Sequence, residues 1–466
     1  MKSRSISTCK NFKPKGRSNK GAKGLYRGLL GYLLLGAVMV LLIPTGSWGR
    51  IYIDINAPAL RKFKIAIPDF KALDTCARAP DLGRKFSRVI SNDLELCGFF
   101  APIERQAFLT TEVPLTLEEV KFNDWTAIGA ELLLTGGYTC IGSRVEVEAR
   151  LFDVFWGRQI MGKRLLGDIR HYRELMHRLA EAIIMKLTGQ GGIFLTKLAF
   201  VSNRTGHKEI YVSDFDGQNA VQVTHDKSIA MMPRWSPDGS KLLYISYKGG
   251  SGPMLYMMDL TMGRSKLISG RKGLNIGASW SPNGTKIALT LSTKGNPDIY
   301  LIDLNGKILK RLTDHWAIDV SPVFSPDGKK IAFVSNRSGS PQIYVMELGS
   351  GRVERLSFEG KYNTSPSWSK LDRIAYASMN NGSFNICTID AEGGEPRYLT
   401  QDQGQNEDPC WSPDGRYIVF SSNRTGRYHL YIMTARGQNQ KRITYGDGDH
   451  SAPSWSASYF RLTPRR

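Results

Sequence analysis

The chain reads as a two-domain protein, an N-terminal α/β domain with a mixed sheet followed by an all-β six-bladed β-propeller closed by a C-terminal strand. Three observations carry that reading. An aromatic-Ser motif recurs six times in the second half at intervals of 45, 44, 44, 43 and 44 residues, the period of a four-stranded propeller blade. The 47 Gly and 21 Pro exceed what a helical protein carries. The first half mixes strand-like and helix-like periodicities instead. A length of 466 residues exceeds one ordinary core and agrees with two domains.

The repeats come first because they are the most regular. The six aromatics are Trp235, Trp280, Phe324, Trp368, Trp411 and Trp455, each followed by Ser. Four continue as Ser-Pro-Asp/Asn-Gly, and a proline stands two residues before the aromatic in five of the six. Pro sets φ at the first central turn position, Asp tolerates the second, and Gly accepts positive φ after it, so each copy predicts a tight hairpin between two inner strands. Lys370 replaces the turn proline in the fourth copy. After the turn a strand is expected, such as 242–246 or 331–335, then a loop such as 335–339, a third strand such as 342–346, and an outer strand such as 311–313 or 442–444. Sheets with two apolar faces must stack on similar sheets, and radial repetition closes the stack. The aromatic is expected to pack between blades. The strand 198–202 lacks an inner partner before it, while 452–456 is an inner strand with nothing after it. These two are therefore expected to pair and close the ring, leaving no open inner edge.

In the first half, residues 51–55 and 63–67 alternate or run apolar like strands, and Leu82, Phe86, Val89, Ile90 and Leu94 recur at helical spacing. A helix around 117–130, a strand 132–135, two strands within 144–166 and an amphipathic helix from about 171 to 187 follow. Gly189, Gly191 and Gly192 mark a linker. The expected division is a signal peptide 1–49, the α/β domain 50–190, a linker 191–196, the propeller 197–457 and a tail 458–466.

The formal charge of +21 is uneven. Nine basic residues, Lys2 to Arg27, precede an apolar run at 29–44 that has the length of a signal-peptide core and is short for a membrane span. Small residues at Ser47 and Gly49 suit cleavage after Gly49, giving a mature chain that starts at Arg50; an uncleaved anchor is the other reading of the same run. Cys9 lies before the apolar run, where a lipid-bearing cysteine cannot be. The remaining charge of +12 (54 basic, 42 acidic) is spread along the chain without a basic stripe and interleaved aromatics, which argues against nucleic acid. Five cysteines follow the run, Cys76, Cys97, Cys140, Cys387 and Cys410. The odd number cannot all pair, and an oxidising compartment permits a Cys76–Cys97 bridge.

Catalytic signatures are missing. There is no Gly-x-Ser-x-Gly elbow, no His-Glu-x-x-His and no P-loop. His225, His315 and His450 share the blade loops with Asp226, Asp314, Asp319 and Asp408, but their spacing gives no ligand pair with a third partner. No catalytic, cofactor or metal residue is therefore assigned, and a structural Ca²⁺ near the axis is the one cation such carboxylates suggest.

The repeats resemble the PD40 group of WD40-like propellers. Asp124-Trp125, the stretch Gly129 to Gly136, His177 in a helix ending Leu187-Thr188-Gly189, and Gly192 to Lys197 entering six repeats make the whole mature chain similar to the TolB family. That resemblance implies a periplasmic, non-enzymatic member of the Tol-Pal envelope system that supports outer-membrane integrity and constriction at cell division. It implies binding of the lipoprotein Pal through the propeller, of TolA through the mature N-terminus, and of other outer-membrane proteins. No cofactor, nucleic acid or membrane insertion is implied, and a monomer is expected. A periplasmic enzyme or small-ligand binder using the pore is the alternative.

Geometry places the candidate partner site at the pore mouth opposite the Ser-Pro-Asp-Gly turns. The residues five and four positions before each aromatic are expected to ring it: Ala230 and Met231, Asn275 and Ile276, Asp319 and Val320, Asn363 and Thr364, Asn406 and Glu407, His450 and Ser451. A mixed polar and apolar ring suits a protruding loop of a partner. The candidate N-terminal site is Ile51, Tyr52, Ile53 and Asp54, whose alternating branched residues also suit an edge strand.

Overall fold

The computed structural model of the protein describes residues 61–74, 81–110, 112–250 and 252–457. Its first domain contains β1 (Phe63–Ala66), β2 (Lys71–Ala72), α1 (Leu82–Leu96), β3 (Phe100–Pro102), α2 (Phe122–Ala127), β4 (Leu132–Ile141), β5 (Arg144–Asp153), β6 (Arg158–Asp168) and α3 (Tyr172–Thr188). The sheet order is β3-β1-β4-β5-β6, with β2 also on β4. β1 runs parallel to β3 and β4, while β4, β5 and β6 are antiparallel, so the sheet is mixed. α1 forms because Leu82, Phe86, Val89, Ile90 and Leu94 fall on one face, and all five are buried. Its first turn stands so close to the loop after β1 that a Cβ at Gly83 would lie 2.0 Å from the Phe70 carbonyl oxygen. α3 ends where Gly189 takes a left-handed conformation, φ 72°.

Two expectations change here, and the pairing left open between Cys76 and Cys97 is decided. The helix expected over 117–130 is confined to Phe122–Ala127, because the Glu119 carboxylate accepts the Leu115 N–H at 2.7 Å in a separate turn and Gly129 adopts φ 75° at the other end. The strand expected at 132–135 continues to Ile141, since β5 pairs with it along its whole length. The Cys76–Cys97 bridge is not made. Cys97 is a free buried thiol donating to the Leu94 carbonyl at 3.0 Å, and Cys140 is the disulfide-bonded cysteine. Cys76, the strand expected at 51–55 and the signal segment lie outside the described residues.

The second domain is a ring of six four-stranded sheets. Blade 2 starts at Ala230–Trp235, blade 3 at Asn275–Trp280, blade 4 at Asp319–Phe324, blade 5 at Tyr362–Trp368 and blade 6 at Asn406–Trp411. Blade 1 is composite: the last strand, His450–Trp455, pairs antiparallel with Lys197–Ser202, matching Trp455 to Leu198 and His450 to Ser202. Closure by the C-terminal strand is therefore as expected. The turns hold together by a device the motif implies: Ser325 donates its hydroxyl to Asp327 at 2.6 Å and accepts the Lys330 N–H at 2.9 Å. Where Lys370 displaces the proline, the turn is one residue shorter and Asp372 takes the positive φ of 53° otherwise given to Gly. The aromatics join neighbours, because the indole N–H of Trp280 reaches the Arg234 carbonyl of the preceding blade and that of Trp411 reaches Ser367, both at 3.1 Å. The outer strands end slightly earlier than expected, at Arg311 and Arg442. The Thr two residues later instead caps the third strand, with Thr313 accepting the Ile299 N–H and Thr444 the Leu430 N–H at 2.9 Å each.

Candidate functional site: the mouth of the propeller

Every inner strand carries a β-bulge between the fourth and first residues before its aromatic. The residue three positions before the aromatic takes a left-handed conformation in all six blades: Met232, Gly277, Ser321, Ser365, Asp408 and Ala452, with φ from 49° to 61°. These six residues converge on the axis and line a channel of about 600 Å³. Five of the six are not glycine and so carry backbone strain at the bulge. Ser365 donates to Asp408 across neighbouring blades at 3.0 Å. The axial ring was thus displaced by one position from the expected pairs, and the residue preceding the recurrent proline was the signal that marks it.

The expected pairs themselves separate. Ala230, Asn275, Asp319, Asn363, Asn406 and His450 are all buried, which corrects their placement on an open mouth. They hold the loops from beneath. Asp319 accepts two hydrogen bonds from the Arg337 guanidinium, at 3.0 and 2.9 Å, and Asn406 accepts one from Arg424 at 2.8 Å. Asn275 accepts from the Ser269 hydroxyl at 2.6 Å and donates to the Arg271 carbonyl at 2.7 Å; Asn363 donates to Gln342 and to the Glu359 carbonyl at 2.7 Å. His450 stacks against His429 with ring centroids 5.4 Å apart. The second members, Met231, Ile276, Val320, Thr364, Glu407 and Ser451, are half-buried. Met231, Ile276 and Val320 lean on the apolar clusters between blades. Burial raises the Glu407 carboxyl above its usual range, with the Asp408 charge adding to it.

Several rim residues were missed altogether. Trp316 (75% exposed) and Ile318 stand on the loop entering blade 4, and Phe358 (72% exposed) stands on the loop entering blade 5. Loop aromatics carry no periodicity, so nothing in the sequence separated them from core residues. The loop histidines do not converge on a catalytic or metal arrangement: His225 Nδ1 lies 2.6 Å from the Thr224 carbonyl, and His315 Nδ1 accepts the Ala317 N–H at 3.1 Å.

At the opposite end the described part of the α/β domain docks on the turns of blades 1 and 6, away from the mouth. Tyr417 donates to the Cys97 carbonyl at 2.9 Å, and Asn439 donates to the Glu95 and Leu96 carbonyls at 3.1 Å. Beside them lies a buried ionic cluster: Asp93 from α1, Arg173 and His177 from α3, and Lys197, Asp214 and Asp216 from blade 1. Asp93, His177 and Asp216 are the one group among the described residues with the spacing of metal ligands. Arg173 and Lys197 already supply cations there. Burial opposes charge on His177, and the carboxylates of Asp93, Asp214 and Asp216 overcome it, raising its pKa so that it is the third cation against three carboxylates.

Comparison with known proteins agrees with both domains. The family described as TolB beta propeller domain matches residues 184–459, and that described as TolB amino-terminal domain matches residues 51–160. The Tol-Pal system protein TolB of Desulfosudis oleivorans is 44% identical over 268 residues, 57% of this chain and 61% of the relative. The protein of the same description from Desulfotalea psychrophila is 33% identical over 274 residues, 58% of this chain and 60% of the relative. The chain thus spans about 60% of the length of these relatives. The crystal structure of TolB from Acinetobacter baumannii is 28% identical with a TM-score of 0.75, covering 87% of this chain and 100% of that one.

Proposed function

This chain belongs to the TolB family, and from that premise we propose that it is a periplasmic, non-enzymatic, protein-binding component of a Tol-Pal system. The observation that carries the reading is the match of both domains in their order, with a likeness to a solved TolB along its entire length. The propeller mouth binds Pal through the rim loops, with Met231, Ile276, Val320, Thr364, Glu407 and Ser451 at its inner edge. The buried ring of Asn275, Asp319, Asn363, Asn406 and His450 keeps those loops in place. The mature N-terminus, with Ile51, Tyr52, Ile53 and Asp54, binds TolA. Through these two partners the protein supports outer-membrane integrity and constriction at division.

The mouth suits this role physically. A rigid ring presents loops whose anchors are already buried and bonded, so little ordering entropy is lost when a partner docks. The test is a titration of the exported protein with the soluble domain of Pal from the same genome, followed by the same titration with TolA. Saturable Pal binding that survives deletion of residues 50–55, with TolA binding that does not, is the expected result. Absence of Pal binding by a folded protein would overturn the proposal.

A further inference from the structure

Blades follow one another round the axis in sequence order, so the mouth loops divide into two arcs. Over blades 1 to 3 the rim carries Arg204, Lys208, Lys227, Lys272 and Lys294, all exposed. The carboxylates at the same end of these blades have partners: Asp226 pairs with Lys248 at 3.2 Å, Glu209 accepts from Thr224, and Asp298 and the exposed Asp314 share Arg311 at 2.6 and 2.9 Å. Over blades 4 to 6 and the final crossing to blade 1 the balance reverses. Asp402 and Asp447 are exposed, Glu407 and Asp449 are half-buried, and Asp408 lines the axial channel. The arginines of this arc are turned inward or paired. Arg337 is held by Asp319, Arg424 by Asn406 and the Tyr431 ring, and Arg427 lies 3.6 Å from Asp447, while Lys361 is exposed. Trp316 and Phe358 rise where the basic arc ends.

We infer that the mouth is polarised to take one folded protein in one orientation, with an acidic patch over blades 1 to 3 and an apolar knob against Trp316 and Phe358. The inference rests on the protein-binding reading above and adds the chemistry and polarity of the partner. The charge pattern excludes the simpler anionic occupants. A nucleic acid or an anionic bilayer presents one sign everywhere, so an occupant that covers the whole mouth sets Asp402 and Asp447 against like charge. Rim charges of this kind act on encounter and orientation, while exposed aromatics that a partner covers act as anchors.

The experiment has two arms, each using the full mature chain and checked for parental melting. In the first, the soluble domain of Pal from the same genome is titrated at low and physiological salt. Lys272→Glu with Lys294→Glu is expected to weaken binding about tenfold at low salt and flatten the salt dependence. Trp316→Ala with Phe358→Ala should weaken it about tenfold with the salt dependence unchanged. In the second arm, flotation with vesicles of phosphatidylglycerol and phosphatidylcholine should leave the parental chain in solution, whereas Asp402→Lys with Asp447→Lys should bring it to the membrane. Unchanged Pal affinity in the lysine reversals overturns the polarity, as does flotation of the parental chain. Failure of the parental chain to bind Pal removes the function proposed above, and the vesicle arm still decides whether the two arcs discriminate.

Discussion

Replacing Asp319 by alanine tests the assignment of the buried ring as loop anchors. The carboxylate is 0% exposed and takes both of its hydrogen bonds from the Arg337 guanidinium, at 3.0 and 2.9 Å. Arg337 keeps other contacts: its Nε donates to Ser335 at 2.9 Å, and the Tyr344 ring centroid lies 5.0 Å from its guanidinium carbon. Removing one member of a buried pair costs about 3–5 kcal/mol, because the other charge is left without compensation. The partial exposure of Arg337 and its retained contacts put this case at the lower end, about 3 kcal/mol. Asp319→Asn keeps the size and one acceptor oxygen, and should cost about 1 kcal/mol. In Asp319→Ala with Arg337→Ala no buried charge is orphaned, so the double variant should recover about 1–2 kcal/mol relative to the sum of the singles. Urea unfolding followed by tryptophan fluorescence reads all five species: the parent, Asp319→Ala, Asp319→Asn, Arg337→Ala and the double variant. An alanine variant within about 0.5 kcal/mol of the parent, the usual range of a surface substitution, would refute the anchoring argument. So would strict additivity in the double variant. Because the side chain does not reach the surface, Asp319→Asn should also leave Pal affinity unchanged.

Three further outcomes follow from the same structure. Burial, with His429, Arg204 and Arg442 nearby, lowers the His450 pKa from 6.5 to about 4; the imidazole is neutral when folded, so stability is full above pH 6.5 and lost as pH falls from 6.5 towards 4. His450→Gln should remove about 1.5 kcal/mol of the difference between pH 6.5 and 5 measured by urea unfolding, and an unchanged slope would assign it to other groups. Arg173→Met removes the guanidinium paired with Asp216 at the interface of the two domains, leaving that carboxylate with the Asn92 amide and the Gln218 N–H as donors, and should cost about 3 kcal/mol and split the calorimetric transition, with the α/β domain releasing first; a single unshifted transition would contradict that. Truncation after Gly446 removes the strand that pairs with Lys197–Ser202, and should raise hydrogen exchange in all six blades together, whereas loss confined to blade 1 would show the blades to be independent.

Much of the architecture was legible because its determinants are local. The Ser-Pro-Asp-Gly turn, the aromatic before it and the 44-residue spacing need only a few contiguous residues to act, so blade number, hairpin positions and the composite closure could all be read. The site was less legible for a reason visible in the inner strands. Successive strand residues point to opposite sides, so two adjacent positions could not both ring the pore. One of each pair became a buried anchor, as at Asp319 and Asn406, and the other leaned between blades, as at Met231 and Val320.

By itself the sequence determined the mixed α/β domain, the six repeats and their closure, and through the residues shared with TolB the family. Tertiary structure alone decided which residue of each inner strand meets the axis, because the bulge rotates the chain by one position and its register depends on pairing with the next strand. It also decided that Asp93, Arg173, His177, Lys197, Asp214 and Asp216, spread over more than a hundred residues of sequence, form one buried cluster of six charges. Charges so far apart along the chain act on one another only once folding removes the water and the distance between them.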